Sequence, residues 1–208
     1  MRIAVLAASG GTGHQLAAQA LERGHSVLAL ARDPGKVNLP RSADLTVVTV
    51  DVLRGETAGL PAAISSIDAV VSGIGIRKGD PAGTLVAGAR VLAAAAPARL
   101  VWLGALGAGA SGSKAGLLYQ LMMALFVGSE RAEKEQADDV ALLAGATVFH
   151  AGPLTDGPVS PTRRTVALAE FKRPALMPAR VTRATVAAAM LDEAEKSQHP
   201  GEIVIPLP

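Results

Sequence analysis

A glycine-rich stretch near the start of the chain, Ala7 to Gly13 (AASGGTG), carries the clearest chemistry in the sequence. It follows an apolar run typical of a buried strand and opens a segment with helical spacing, which is the context that gives a glycine motif meaning. Glycines let the backbone turn tightly and approach a pyrophosphate, and the following helix offers free N–H groups and a positive dipole end to that anion. The residues that the pattern assigns to a dinucleotide are Ser9, Gly10, Gly11, Thr12 and Gly13. The alternative is a glycine turn that binds no ligand.

The end of the second apolar run selects between the two nicotinamide cofactors. A site specific for NAD would carry Asp or Glu there to hold the ribose 2′-hydroxyl. The run ends instead in Arg32, whose guanidinium matches a phosphate and favours NADP, with NAD as the alternative. Asp33 is expected to cap the turn in DPGK, Lys36 is a second candidate for the same phosphate, and a solvated strand end is the other interpretation of Arg32.

Two further places fit the adenosine half of a dinucleotide. Asp51 and Val52 follow the third strand, where the Asp51 carboxylate could accept from the adenine amino group or simply cap the strand end. Gly73, Ile74 and Gly75 follow the fourth strand, where glycines allow close backbone approach to the ribose and pyrophosphate, although a tight turn would also use them.

Strand and helix patterns alternate along the chain, which predicts an α/β fold of the Rossmann type: a doubly wound, mostly parallel sheet with helices on both faces. The predicted strands are 2–7, 26–31, 45–50, 68–72, 99–103, 147–150 and 202–205, and the predicted helices are 15–23, 84–95, 128–143 and 183–195. We expect one dinucleotide-binding domain over 1–208. Its least regular segment, 151–182, is expected on the substrate side or as a plain surface excursion.

Composition excludes several classes of protein. The 208 residues are 50% hydrophobic and 18% charged with a net charge of +2, which is typical of a globular chain without a broad nucleic-acid footprint. Cysteine is absent and the four histidines are far apart, so no metal site is expected. The N-terminus has no cleavage region, and the longest apolar run, 115–128, is too short to span a bilayer comfortably. We therefore expect a cytoplasmic protein, monomeric or homodimeric, that docks to no membrane and takes a small-molecule acceptor.

The residues 2–37, which include the glycine-rich stretch, resemble the opening of the atypical short-chain dehydrogenases, among them the NmrA-like proteins and the biliverdin-IXβ/flavin reductases. The segments 48–53, 100–109, 142–158 and 180–191 are also similar to the family, so the resemblance covers essentially the whole chain. It implies NADP(H) or NAD(H) as cofactor. It also implies a reductase of flavins, quinones or linear tetrapyrroles.

The departures from the family bear on mechanism. Ala7 replaces the first glycine of the family's G-x-x-G-x-x-G, and alanine fits there when its φ is negative. Gly104 and Ala105 stand where a catalytic Ser or Thr would be, and Tyr119, the only tyrosine, is not followed by a lysine four residues on. His150 and Thr185 replace the family's Arg and Asp. The Ser-Tyr-Lys set that delivers a proton is therefore missing, which argues against alcohol/ketone interconversion.

Reduction of a flavin or quinone needs no such set, because the cofactor carries the hydride and solvent can supply the proton. His150 is the catalytic candidate, since it is expected to end the sixth strand beside the nicotinamide and imidazole is a common general acid or base; a structural role is the alternative. Lys134 and Tyr119 are weaker candidates, with a solvated helix face and core packing as alternatives.

Two functions remain open from the sequence. The first is an NADPH-dependent oxidoreductase with a flat, conjugated acceptor. The second is a non-catalytic redox sensor, similar to the NmrA-like regulators, that binds the cofactor and signals to a protein partner. The apolar helix at 117–128, with Met122, Met123 and Phe126, could line a substrate pocket, form a dimer surface or be buried core, and in the sensor it could serve as the partner surface.

Overall fold

The computed structural model describes residues 1–55, 60–64, 66–76, 79–126, 128–172 and 174–208, with 61, 62, 122–126, 128 and 129 described by their backbone alone. The strands are β1 Arg2–Leu6, β2 Ser26–Ala31, β3 Leu45–Thr49, β4 Ala69–Ser72, β5 Leu100–Ala105, β6 Thr147–Ala151, β7 Leu154–Thr155, β8 Arg164–Ala167, β9 Val181–Thr182 and β10 Ile203–Leu207. The helices are α1 Gly11–Glu22, α2 Leu60–Ile64, α3 Thr84–Ala95, α4 Leu117–Phe126, α5 Gly128–Leu143 and α6 Arg183–Lys196.

The main sheet has eight strands in the order β3-β2-β1-β4-β5-β6-β10-β8, and β7 pairs with β9 in a small second sheet. Its strands are parallel except β8, which runs antiparallel to β10. The chain moves outward from β1 to β3 and then returns to place β4 on the other side of β1. This reversal opens a crevice beyond the carboxyl ends of β1 and β4, the place where open α/β sheets bind ligands.

Two hydrophobic layers cover the faces of the sheet. On one face α1 and α6 pack against Ile3, Val5 and Phe149, and on the other α3 and α5 pack against Leu6 and Trp102. Both faces of β1 are therefore buried, which explains why its sequence is a continuous apolar run rather than an alternating one. The predicted Rossmann-type α/β fold is confirmed.

Two regions differ from the predicted elements. Helix α1 begins at Gly11 rather than at residue 15, because the glycines form its first turn. The irregular segment 151–182 contains β7, β8 and β9, and β8 adds an antiparallel edge strand that its short, arginine-containing sequence does not predict. Within the described residues, no helix is both long and apolar enough to cross a membrane.

Candidate functional site: a cleft at the carboxyl ends of the central strands

The glycine-rich turn connects β1 to α1 and leaves the start of the helix open. Gly10 is the N-cap of α1 and, having no side chain, makes no side-chain cap, while its own N–H donates to Ala7 O at 2.8 Å. The first N–H groups of α1 therefore face the cleft without a capping oxygen, in the geometry that suits an anion. Ala7 has φ +60°, so the condition under which an alanine fits this position without strain, a negative φ, is not met, and the alanine adopts the left-handed conformation that favours glycine.

Two glycines bring β1, β4 and α1 into backbone contact. A Cβ on Gly13 would lie 2.1 Å from Ala7 O, and a Cβ on Gly73 would lie 2.8 Å from the nitrogen of Gly13. No side chain fits in either place. Gly13, which the sequence pattern assigned to the phosphates, therefore packs the helix against the strand and does not line the cleft.

A cavity of about 270 Å³ lies at the reversal point of the sheet. It brings together most of the residues that the sequence pattern assigned to the cofactor. The lining contains Ser9, Gly10, Gly11, Thr12, Arg32, Val52, Gly73, Ile74 and Gly75 among the predicted residues, and Ala7, Val50, Asp80, Thr84, Leu103, Leu154 and Arg183 among others.

Arg32 stands at one end of the cleft, immediately after β2. Its Nη2 donates to Asp80 Oδ1 at 2.9 Å, and the Arg32 side chain is 49% exposed. Asp33 accepts from the N–H of Gly35 at 3.1 Å, which confirms the predicted cap of the turn. Lys36 lies 3.2 Å from Asp33 on the surface and does not line the cavity. Arg32 is thus the cation of the DPGK region that the fold presents to the cleft.

Arg183 is a cleft residue that the search for motifs missed. It is the first residue of α6, far from the glycine-rich turn in sequence, and its side chain lies over Gly11: a Cβ there would be 3.0 Å from Arg183 Cδ. Arg183 Nη1 donates to Asp156 Oδ1 at 2.7 Å. The one feature of the sequence that could have identified Arg183 is its position in the segment 180–191, which is similar to the family's late helix.

Asp51 does not reach the cleft, so its predicted contact with adenine is not supported. Its Oδ1 accepts from the backbone N–H groups of Leu53 at 3.0 Å and Arg54 at 3.3 Å, and its Oδ2 lies 3.6 Å from Arg54 Nε. The carboxylate therefore caps the end of the third strand, which is the alternative that the sequence left open.

His150 is also displaced from its expected place beside the nicotinamide. It is 1% exposed and points to the α5 face of the sheet, where its Nε2 lies 3.0 Å from Asp138 Oδ2 and its Nδ1 lies 2.7 Å from Ser111 Oγ. Trp102 Nε1 donates to the other oxygen of Asp138 at 2.9 Å. This buried network ties β5 and β6 to α5. It does not line the cleft, so a direct catalytic contact by His150 is not supported.

The same network explains the glycine that replaces the family's catalytic Ser or Thr. A Cβ on Gly104 would lie 2.8 Å from His150 Cδ2 and 2.9 Å from the oxygens of Asp138. Tyr119 packs against a small apolar cluster that contains Leu106 and Phe171, outside the cleft, and burial raises the pKa of its phenol, the opposite of what an acid catalyst needs. Lys134 pairs with Glu130 at 3.2 Å on α5. Neither weaker catalytic candidate lines the cavity.

The other end of the cleft is apolar. Leu103 on β5 and Leu154 on β7 line it. The cleft is therefore polar where a dinucleotide's phosphates would lie and apolar where a flat ring would lie.

In the part of the chain that the structure describes, no cluster of three or more His, Asp and Glu residues could hold a metal ion.

Residues 7–197 match the family model described as NAD(P)H-binding. The chain belongs to the NAD(P)H-binding family. The resemblance to the atypical short-chain dehydrogenases is thereby confirmed. No curated protein matches the chain.

Solved structures share the fold over nearly the whole chain. A short-chain dehydrogenase/reductase (wide type) from Veillonella parvula DSM 2008 in complex with NADP has a TM-score of 0.78 at 16% identity and covers 99% of this chain and 93% of its own. The oxidoreductase ylbE from Lactococcus lactis has a TM-score of 0.77 at 18% identity, covering 99% and 90%. SP1627 from Streptococcus pneumoniae TIGR4, named a putative NADH-flavin reductase, has a TM-score of 0.73 at 18% identity, covering 100% and 99%. At such identities the likeness establishes the fold.

Proposed function

We propose that the protein is an NADPH-dependent oxidoreductase that transfers a hydride to a flat, conjugated acceptor such as a flavin or a quinone. One observation carries the proposal: the open start of α1, Arg32 and an apolar end wall line a single cleft at the reversal point of the sheet. The chain's membership of the NAD(P)H-binding family supports the cofactor class. The neighbour named as an NADH-flavin reductase supports the class of acceptor.

Arg32 supports NADPH over NADH. Asp80 holds its guanidinium at the edge of the cleft, yet about half of the Arg32 side chain stays exposed, so its remaining N–H groups can bind a 2′-phosphate with two parallel hydrogen bonds. An aspartate or glutamate at this strand end would instead accept from the 2′-hydroxyl of NADH. The cofactor's adenosine end would therefore lie between the ends of β2 and β4.

The apolar end supports an acceptor that needs no protein acid. When bound there, the reduced nicotinamide supplies the hydride, and the protein has to hold the two rings in contact and exclude water between them. Leu103 and Leu154 offer an apolar surface for that purpose. A flavin or quinone takes the hydride at a redox-active ring and its proton from solvent, so the displacement of His150 and Tyr119 from the cleft does not prevent turnover.

A non-catalytic sensor is the second candidate, and the surface of α4 favours it. Leu117, Leu118 and Leu121 are 64%, 44% and 56% exposed on this helix, an apolar surface that a protein partner could cover. The sequence left a substrate pocket, a dimer surface and buried core open for Met122, Met123 and Phe126, and the side chains of these residues lie outside the described residues. A sensor would bind the cofactor in the same cleft and consume none of it.

Oxidation of NADPH by the purified protein, followed spectroscopically with a flavin or a quinone present, tests the proposal. We expect consumption that requires both the protein and the acceptor. Tight binding of NADPH with no consumption with either acceptor class would contradict the enzyme and favour the sensor. Absence of binding would contradict both.

Reversing the charge of Arg32 tests the cofactor preference. Arg32→Glu should weaken NADPH binding by roughly tenfold to a hundredfold, the worth of a charge-assisted hydrogen bond, and should change NADH binding little. Arg164→Glu is the matched control, because Arg164 is exposed on β8 at the far edge of the sheet. Equal losses for NADPH and NADH, measured by calorimetry, would contradict the assignment of Arg32 to the 2′-phosphate.

A further inference from the structure

We propose that Arg183 is a phosphate-binding residue of the cleft and holds the pyrophosphate of the cofactor against the first turn of α1. This inference rests on the proposed function, because it assumes a nicotinamide dinucleotide in the cleft. Arg183 lines the same cavity as Ser9 and Thr12. Its Cδ and Nε lie 3.0 and 3.1 Å from the position that a Cβ on Gly11 would occupy. The guanidinium group therefore stands beside the open N–H groups of α1.

The charges that line the cleft favour binding of an anion between Arg183 and the start of α1. Among the described lining residues the cations are Arg32 and Arg183, and the one carboxylate, Asp80, pairs with Arg32 at the other end. The positive end of the α1 dipole adds to the charge of Arg183. A pyrophosphate, with its two negative phosphate groups, would compensate the charge of Arg183 and the positive end of the α1 dipole. The planar guanidinium of arginine also matches the geometry of phosphate oxygens.

The partner of Arg183 in the structure is one that a phosphate can displace. Arg183 Nη1 donates to Asp156 Oδ1 at 2.7 Å, but the Asp156 side chain is 93% exposed. Ion pairs with a carboxylate so open to water contribute little to stability. The guanidinium can therefore turn toward the cleft at small cost when a phosphate arrives.

The position of Arg183 in its helix argues against a purely structural role. It is the first residue of α6, where a positive charge is unfavourable because it faces the positive end of the helix dipole. The start of α6 is already capped by Thr182, whose hydroxyl oxygen accepts from the N–H of Thr185 at 3.0 Å. The charge of Arg183 therefore does not stabilise helix α6, whereas a bound anion would explain why a cation stands at this position.

The decisive experiment is calorimetric titration of Arg183→Gln with NADPH and with NADH, beside the wild-type protein. Because both nucleotides carry the same pyrophosphate, we expect both affinities to fall by the same factor, roughly tenfold to a hundredfold. The thermal midpoint should stay the same or rise, since a cation leaves the start of α6. Arg164→Gln, which removes the same charge from the far edge of the sheet, should leave both affinities unchanged.

A second variant separates phosphate binding from a structural ion pair. Asp156→Asn removes the carboxylate that competes with the phosphate, so both affinities should rise. If Asp156→Asn instead lowers both affinities as much as Arg183→Gln does, the ion pair organises the site and the inference is wrong. Unchanged affinities in Arg183→Gln, or a loss for NADPH alone, would also overturn it.

The outcomes distinguish this inference from the proposed function. A wild-type protein that binds both nucleotides but oxidises neither contradicts the oxidoreductase and leaves the role of Arg183 to be judged by the variants. A wild-type protein that turns over, with an Arg183→Gln variant of unchanged affinity, contradicts the role of Arg183 alone. A wild-type protein that binds neither nucleotide contradicts both.

Discussion

At the scale of single residues, Ala7 shows the conformational strain that arises when a residue other than glycine occupies the turn before α1. Its φ of +60° places the Cβ against the following carbonyl, which costs about 1–2 kcal/mol for an L-residue other than glycine. The turn keeps this conformation because Gly10 N donates to Ala7 O, and because the same carbonyl closely approaches Gly13. These contacts hold the backbone of the glycine-rich turn in one arrangement despite the strain at Ala7.

Ala7→Gly should therefore stabilise the protein. We expect a gain of about 1 kcal/mol, since relief of the left-handed strain exceeds the added entropy of the unfolded chain. Urea unfolding with an unchanged m-value measures it. Ala8→Gly is the matched control: Ala8 is fully buried, so it should lose about 0.5–1 kcal/mol or more. Equal losses in both variants would show that Ala7 carries no strain.

The sequence predicted the cleft-lining residues that belong to the glycine-rich turn or directly follow β2. The glycine-rich turn and Arg32 are local features, and their position follows from the strand before them. The sequence did not predict the contacts of Asp51 and His150, because each depends on which neighbour the side chain meets. Asp51 meets the backbone N–H groups of Leu53 and Arg54, and His150 meets Asp138 on the helix before β6. Arg183 reaches the turn only through the packing of α6 beside α1.

At the scale of elements, the longer helices and the buried strands were predictable, and the short or exposed ones were not. Helices α3 and α5 have the predicted bounds, because each has ten or more residues of helical periodicity. Strand β8 has four residues and exists because β10 offers it an edge to pair with, a partner that its own sequence does not reveal. Where the local sequence pattern is weak, pairing with a neighbouring strand thus determines whether a segment forms a strand.

The contact between α1 and α6 includes an ion cluster that predicts a pH dependence. Glu195 lies 2.9 Å from both Arg23 and His25. Partial burial raises the pKa of the Glu195 carboxyl, but the hydrogen bonds and charges of His25 and Arg23 outweigh it and hold this pKa below its usual value of 4.5. The carboxyl therefore binds its proton less readily in the folded than in the unfolded protein. Its contribution to stability is present above the usual pKa and is lost as the pH falls through the lowered one.

Glu195→Gln should accordingly be less stable than the wild type at pH 7, by about 1 kcal/mol for two partly exposed ion pairs. The difference should close as the pH falls below the usual carboxyl value, because the wild-type side chain then also loses its charge. Urea unfolding across this pH range gives the measurement. Glu22→Gln is the control, since Glu22 is exposed on α1 and makes no ion pair among the described residues. A difference that does not change with pH would contradict the role of the Glu195 charge.

At the scale of the whole molecule, the cleft is formed by two parts of the chain that are distant in sequence. The turn between β1 and α1 supplies one wall, and β7 with the start of α6 supplies the other. The β7 part of the second wall is weakly held, because β7 and β9 are strands of two residues each in a sheet of their own. A dinucleotide between α1 and Arg183 would connect the two walls.

Binding should therefore protect the second wall more than the rest of the molecule. We expect NADPH at a hundred times its Kd to slow amide exchange at 154–155 and 181–185 by up to roughly 100-fold, the effect of about 2.7 kcal/mol on openings that the ligand forbids. Strand β8 is the internal control, because it is also short, with four residues, but lies at the far edge of the main sheet. Its exchange should stay nearly constant. Equal protection of β7 and β8, or none at either, would show that the cofactor does not connect the two walls. A cofactor that contacts both walls should slow amide exchange at β7 and leave exchange at β8 unchanged.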